Sequence, residues 1–163
     1  MLLEWCKWLE GLGLSTTVRE STWVFPALEC IHMYSMILLI SILAVFDLRL
    51  LGFSLGESGR RPLGELWKPI LKWAWICFII NFATGALLFS SEATKMYINA
   101  AFRVKLLLVA GALVYHSVIL PAARRWDGAA RMPLTAKLTG TFSLVLWVGV
   151  IAASRWIAFV LPT

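Results

Sequence analysis

Residues 22–48 read TWVFPALECIHMYSMILLISILAVFDL. This is an unbroken run of 27 positions in which Glu29, His32 and the closing Asp47 are the ionisable side chains besides Cys30 and Tyr34. A bilayer core of about 30 Å is crossed by about 20 residues of helix, so this run predicts a transmembrane helix. Three further runs have the same character, at about 69–89, about 100–121 and about 138–161. The fold class predicted is all-α: an integral membrane antiparallel four-helix bundle, one domain over residues 1–163.

Composition agrees with that reading. Of the 163 residues 60% are hydrophobic and only 15% charged, below the roughly 25% usual in soluble domains, and mean hydropathy is +0.81. Net charge is +6, but the bases stand at the ends of apolar runs and do not form the aromatic-interleaved stripe of a nucleic-acid surface. No nucleic-acid partner is expected; the expected partner is the lipid bilayer. Arg49, Arg60, Arg61, Lys68, Lys72, Arg124, Arg125, Arg131 and Lys137 fall on one side of the four spans, and the other six of the 15 bases on the opposite side. The positive-inside rule then puts both termini outside the cytoplasm.

The first residues, MLLEWCKWLEGLGLSTTVRES, carry Glu4 and Glu10 against Lys7 and Arg19, unlike the basic start of a cleaved secretory signal. Their apolar members share one helical face, which predicts a short interfacial helix over about 2–14, ending near Gly11 or Gly13. The polar stretch FSLGESGRRPLGEL is expected to be a loop, and SSEATK from Ser90 to break the second span. Cys6, Cys30 and Cys77 show no paired metal spacing and no disulfide is assigned. Small residues at Gly85–Ala86, Gly111–Ala112 and Gly149, Ala152, Ala153 would admit close helix approach.

His32 and His116 are the chain's two histidines, and each lies inside an apolar span. Ionisable groups in hydrocarbon are costly and mark function by default. Glu29 precedes His32 by three residues, on one helical face, where a carboxylate could orient the ring as a ligand or serve a proton relay. On the third span Lys105 and His116 are eleven residues apart, about 16 Å along the axis, with His32 at a level between them. Two histidines on neighbouring helices, with Tyr34, Trp75 and Phe82, would make a haem cleft. Copper is the rival, since Cys30, His32, Met33 and Met36 cluster in the first span, but Cys30 and His32 point to different sides of a helix. There is no GxSxG, phosphate loop or HExxH, and no pair of interrupted helices of a transporter.

The segments ECIHMYSMILLISILAVFDLRLLGF and FRVKLLLVAGALVYH resemble the first and third helices of small membrane proteins related to HemJ, a protoporphyrinogen oxidase, and to CopD-type membrane domains. The longer stretch WVFPALECIHMYSMILLISILAVFDLRLLG looks like an uncharacterised family of four-helix bacterial membrane proteins. The resemblance implies His32 as a haem b ligand, Lys105 and His116 as functional third-helix positions, and Arg49 as a contact to a propionate. Glu29 before the histidine and the RESTWVFP lead-in depart from HemJ, so its oxidase activity is not carried over.

The expectation is a haem b protein of the bacterial inner membrane. His32 and His116 would ligate the iron, Glu29 would orient His32, and Arg49 or Lys105 would meet carboxylate groups. It would carry electrons between quinol and a membrane redox partner, as a monomer or homo-oligomer. The alternatives are a HemJ-like membrane oxidase acting on a porphyrinogen or other lipophilic substrate and a non-catalytic subunit of a larger membrane complex.

Overall fold

The computed structural model describes residues 1–53, 62–126, 129 and 131–160. Among these residues the chain is all-α, in the order α1 (Leu2–Glu10), α2 (Gly13–Glu20), α3 (Val24–Leu50), α4 (Leu63–Ser91), α5 (Ala93–Ile98), α6 (Ala100–Ala122), a 3₁₀ turn (Ala123–Trp126) and α7 (Leu134–Val160). Four helices are long and apolar enough to cross a membrane, over Val24–Leu50, Lys68–Ser91, Ala100–Ile119 and Leu134–Ile157.

The expected short helix, about 2–14 and ending near Gly11 or Gly13, corresponds to α1, which ends at Glu10 with Gly11 as its C-cap, and a second helix, α2, follows it. The Gly11 N–H still donates to the Lys7 and Trp8 carbonyls, but Leu12 is extended at φ −67° and ψ 139° and redirects the chain. The bend lets Cys6 of α1 and Ser15 and Val18 of α2 all be buried, which one straight helix could not do. The helix that carries the second span, α4, starts before that span: Leu63 and Leu66, placed by sequence in a loop, lie in α4 and are buried. The rest of that loop, residues 54–61, falls outside the described residues. The expected break at Ser90 occurs one residue later, where α4 ends at Ser91 and α5 begins.

Packing follows helical periodicity. Leu39, Leu43, Phe46 and Leu50 form a stripe on α3 that meets Leu63, Leu66, Ile70, Ala74 and Cys77 on α4, with Ala112 of α6 and Trp147 and Val150 of α7 completing the core. Neighbouring helices run antiparallel. The start of α3 meets the end of α4 at His32 and Thr84, and the end of α3 meets the start of α7 at Asp47 and Ser143. The pair α6–α7 is tied at one end by Asn99 Nδ2 donating to the Ile157 carbonyl and at the other by Tyr115 Oη donating to the Thr139 carbonyl.

Gly140 permits the α3–α7 approach: a Cβ there would stand 2.7 Å from the Asp47 carbonyl oxygen. Among the expected small-residue positions, Gly85 lies against the His32 ring and Ala112 is fully buried, whereas Gly111 has nothing within 4 Å.

Large apolar side chains lie on the outside as well as in the core. Ile79, Leu107, Val114, Val145 and Val148 are 60–74% exposed, while Ser35, Asp47, Thr84, His116 and Ser143 are buried. Exposed apolar side chains on helices of spanning length are what a multi-pass membrane protein would require.

Candidate functional site

Buried polar groups gather at two levels of the molecule. The first surrounds His32, eight residues into α3. Its Nδ1 is 3.0 Å from the Asn81 carbonyl oxygen and 3.2 Å from Thr84 Oγ1. A carbonyl only accepts, so Nδ1 carries the proton and Nε2 is the acceptor of the neutral ring. Asn81 Nδ2 in turn donates to the His32 carbonyl at 2.8 Å and to Ser35 Oγ at 3.1 Å. Gly85 completes the seat: a Cβ there would come within 2.9 Å of His32 Cε1, so a larger residue would displace the ring.

Among the described residues Nε2 has no hydrogen-bond partner, and the ring is half-buried. Lys105 of α6 lies within electrostatic range of it and is itself half-buried, with no ion-pair or hydrogen-bond partner among the described residues. Glu29 stands apart from this cluster: it is exposed, and the ring is oriented by Asn81 and Thr84. Tyr34 and Phe82 point outward, at 68% and 67% exposure.

The second level joins three helices. Ser143 Oγ of α7 stands 2.5 Å from Asp47 Oδ2 of α3 and 3.0 Å from His116 Nε2 of α6. His116 Nδ1 is 2.8 Å from the Ala112 carbonyl oxygen, one turn back on its own helix. Asp47, His116 and Ser143 are 2%, 7% and 1% exposed. Trp147 packs beside the imidazole at a centroid distance of 5.9 Å, and Tyr115 at 5.6 Å. A cavity of about 40 Å³, walled by His116, Ser117, Trp147 and apolar side chains, adjoins the ring. Arg49, expected to meet a propionate, is half-buried at this end of α3, with Nε buried and without a hydrogen-bond partner among the described residues.

His32 and His116 are not brought together. His116 sits at the level of Asp47 through Ser143, and Asp47 is fifteen residues beyond His32 on one helix, about 22 Å along its axis. Both nitrogens of His116 are engaged within the protein. A haem ligated by the two histidines does not fit this arrangement, and the cavity beside His116 is far smaller than a porphyrin. Cys30 and Met33 are exposed, and among the described residues no group of three or more His, Cys, Asp or Glu side chains converges as a metal site.

Asp47 and Ser143 escaped the sequence reading. Asp47 reads as the polar end of a span and Ser143 as one hydroxyl among many; the signal that could have marked Asp47 is a carboxylate still inside the helix, three residues before its end. Asn81 and Thr84 carry a weaker signal, two polar residues one turn apart in an apolar run.

Comparison with curated proteins and with solved structures finds no match. Nothing in the comparisons supports the likeness to HemJ or CopD, while the likeness to an uncharacterised family is supported. Residues 8–160, nearly the whole chain and both polar levels, match one such family: the protein belongs to DUF6644, a family of unknown function.

Proposed function

We propose that the protein is a four-helix bundle embedded in the bacterial inner membrane, with both termini outside, that binds a lipid-soluble quinol or quinone at His32 and Lys105 and passes its electrons to a membrane redox partner. The observation that carries this reading is the state of His32. Its Nδ1–H is held by the Asn81 carbonyl, which leaves Nε2 as a bare acceptor in a half-buried ring, with the cation of Lys105 in electrostatic range.

A hydroquinone matches that pair. Its O–H donates to Nε2, and as that first proton passes to the imidazole the quinol oxygen gains negative charge that Lys105 stabilises; the two electrons go to the partner and the second hydroxyl proton leaves to solvent. Partial exposure on an apolar outer surface suits a ligand that arrives from lipid.

The same anchoring favours a second reading, haem b with His32 as a single axial ligand. A ring whose Nδ1–H is fixed by a backbone carbonyl is the usual state of an iron- or zinc-bound histidine. In that case Nε2 would meet the iron.

The test is quinone binding to the purified protein in nanodiscs, followed by quenching of tryptophan fluorescence with a short-tailed ubiquinone, alongside a reduced-minus-oxidised absorption spectrum. His32→Ala and Lys105→Ala are each expected to weaken binding about 10-fold or more, the scale of a lost charge-assisted hydrogen bond. Equal affinity in wild type and both variants would overturn the quinone reading. A stoichiometric b-type spectrum that disappears in His32→Ala would replace it with the haem reading.

A further inference from the structure

We propose that Asp47, Ser143 and His116 form a proton-binding relay, separate from the His32 level, that holds one exchangeable proton in either of two fully bonded arrangements. The inference rests on counting donors and does not depend on what binds at His32.

The count starts from the fixed end. His116 Nδ1 faces the Ala112 carbonyl at 2.8 Å, and because that oxygen can only accept, Nδ1 is protonated in every state. Two gaps remain, Nε2 to Ser143 Oγ at 3.0 Å and Ser143 Oγ to Asp47 Oδ2 at 2.5 Å. Each gap needs one proton, and the serine hydroxyl supplies one. The second must come from Nε2 of an imidazolium or from Oδ2 of a carboxylic acid.

In the first arrangement Nε2–H donates to Ser143 Oγ and Ser143 donates to the Asp47 carboxylate. In the second, Asp47 Oδ2–H donates to Ser143 Oγ and Ser143 donates to the bare Nε2. The two interconvert without any net change of charge. The Nε2 proton passes to Ser143 Oγ while the serine's own proton passes to Asp47 Oδ2, and the reverse shift restores the imidazolium.

Removing the extra proton breaks the pattern. A carboxylate and a neutral imidazole then share one hydroxyl, two acceptors face each other across one gap, and a net negative charge is left among apolar side chains. Burial makes that state costly, so the proton belongs to the triad as a whole and is given up by Asp47 and His116 together, not by either residue alone.

The charged and titratable groups on the surrounding elements leave that count intact. Tyr115 of α6 donates to the Thr139 carbonyl at 2.7 Å. Lys72 of α4 and Lys137 of α7 are exposed, Cys77 of α4 lies in the apolar core, and Arg49 is two residues beyond Asp47 on α3. None of these has a hydrogen bond to the triad among the described residues.

The experiment is a pH titration of the full-length protein in nanodiscs, reading the carboxylic C=O stretch of Asp47 by difference infrared spectroscopy and the ¹⁵N signals of His116 by NMR. Two single variants assign the bands. In wild type the Asp47 band and the His116 Nε2 signal are expected to change together at one midpoint, with Nδ1 protonated throughout. Ser143→Ala is expected to uncouple them, separating the two midpoints by about one pH unit or more, and Ser143→Thr, which keeps a hydroxyl, to restore the common midpoint.

Asp47→Asn, which preserves size and hydrogen-bonding capacity, is expected to shift the His116 midpoint by itself, so the relay remains testable if Ser143→Ala does not fold. An unshifted His116 midpoint in Asp47→Asn, or no protonation change at either residue across the pH range in which the protein stays folded, would overturn the proposal and leave the triad as a static hydrogen-bonded tie between helices.

Discussion

At the scale of single residues, the positions that matter most are small or polar ones enclosed by large apolar neighbours. Gly140 is one: a methyl there would meet the Asp47 carbonyl at 2.7 Å and Leu50 Cβ at 3.1 Å. The first contact is with backbone, which cannot rotate away, so α7 must move off α3. Gly140→Ala is expected to lower stability by about 1–3 kcal/mol, the usual range for overpacking. Gly111→Ala is the matched control, since nothing lies within 4 Å of its added carbon, and it is expected to be neutral or to stabilise by up to about 1 kcal/mol through helix propensity. Thermal unfolding of the two variants in the same detergent checks the contrast. A Gly140→Ala protein as stable as Gly111→Ala would mean that α3 and α7 are not in the contact described.

At the scale of elements, helices are tied to one another by side chains that satisfy helix ends. Asn99 Oδ1 accepts from the Ala101 and Phe102 N–H groups and caps α6, while Nδ2 donates across to the Ile157 carbonyl near the end of α7. Asn99→Ala removes both functions of a residue only 2% exposed and is expected to cost about 1–2 kcal/mol. Asn99→Asp keeps the cap but not the cross-helix donor, so its loss should fall between wild type and Asn99→Ala in an unfolding titration. Glu10, the last residue of α1, plays the corresponding part for α5. Its carboxylate accepts from the Thr94 N–H at 2.7 Å and from Thr94 Oγ1 at 2.9 Å. Glu10→Ala is expected to release α1 from α5, visible as faster amide exchange in α1 with little change in α6 and α7. Unchanged exchange in α1 would show that its apolar contacts suffice.

At the scale of the whole molecule, large apolar side chains are exposed on four helices long and apolar enough to cross a membrane, and an even number of spans would put both ends on one side of a bilayer. With the bases divided nine against six in favour of the side holding Arg49, Arg124 and Lys137, both ends are expected outside the cytoplasm. A phosphatase reporter fused at either terminus should be active and a GFP fusion dark; the reverse at both termini would invert the orientation, and opposite answers at the two ends would refute four spans. The number, order and approximate limits of the long helices were legible because each is an uninterrupted apolar run, a property of consecutive residues. The early start of α4 was hidden because Leu63 and Leu66 stand among glycine and charge, and their helical state follows from burial against α3. His32 and His116 were legible as costly ionisable groups, but their partners were not. A hydrogen bond between Asp47 and Ser143 joins residues 96 positions apart, and no local pattern encodes it. The sequence by itself determined that the chain forms helices long and apolar enough to cross a membrane and which ionisable side chains those helices carry. Only the tertiary structure decided that the two histidines lie at different levels, one seated by Asn81 and the other bonded into a triad, because the pairing of helices sets which polar groups can satisfy one another.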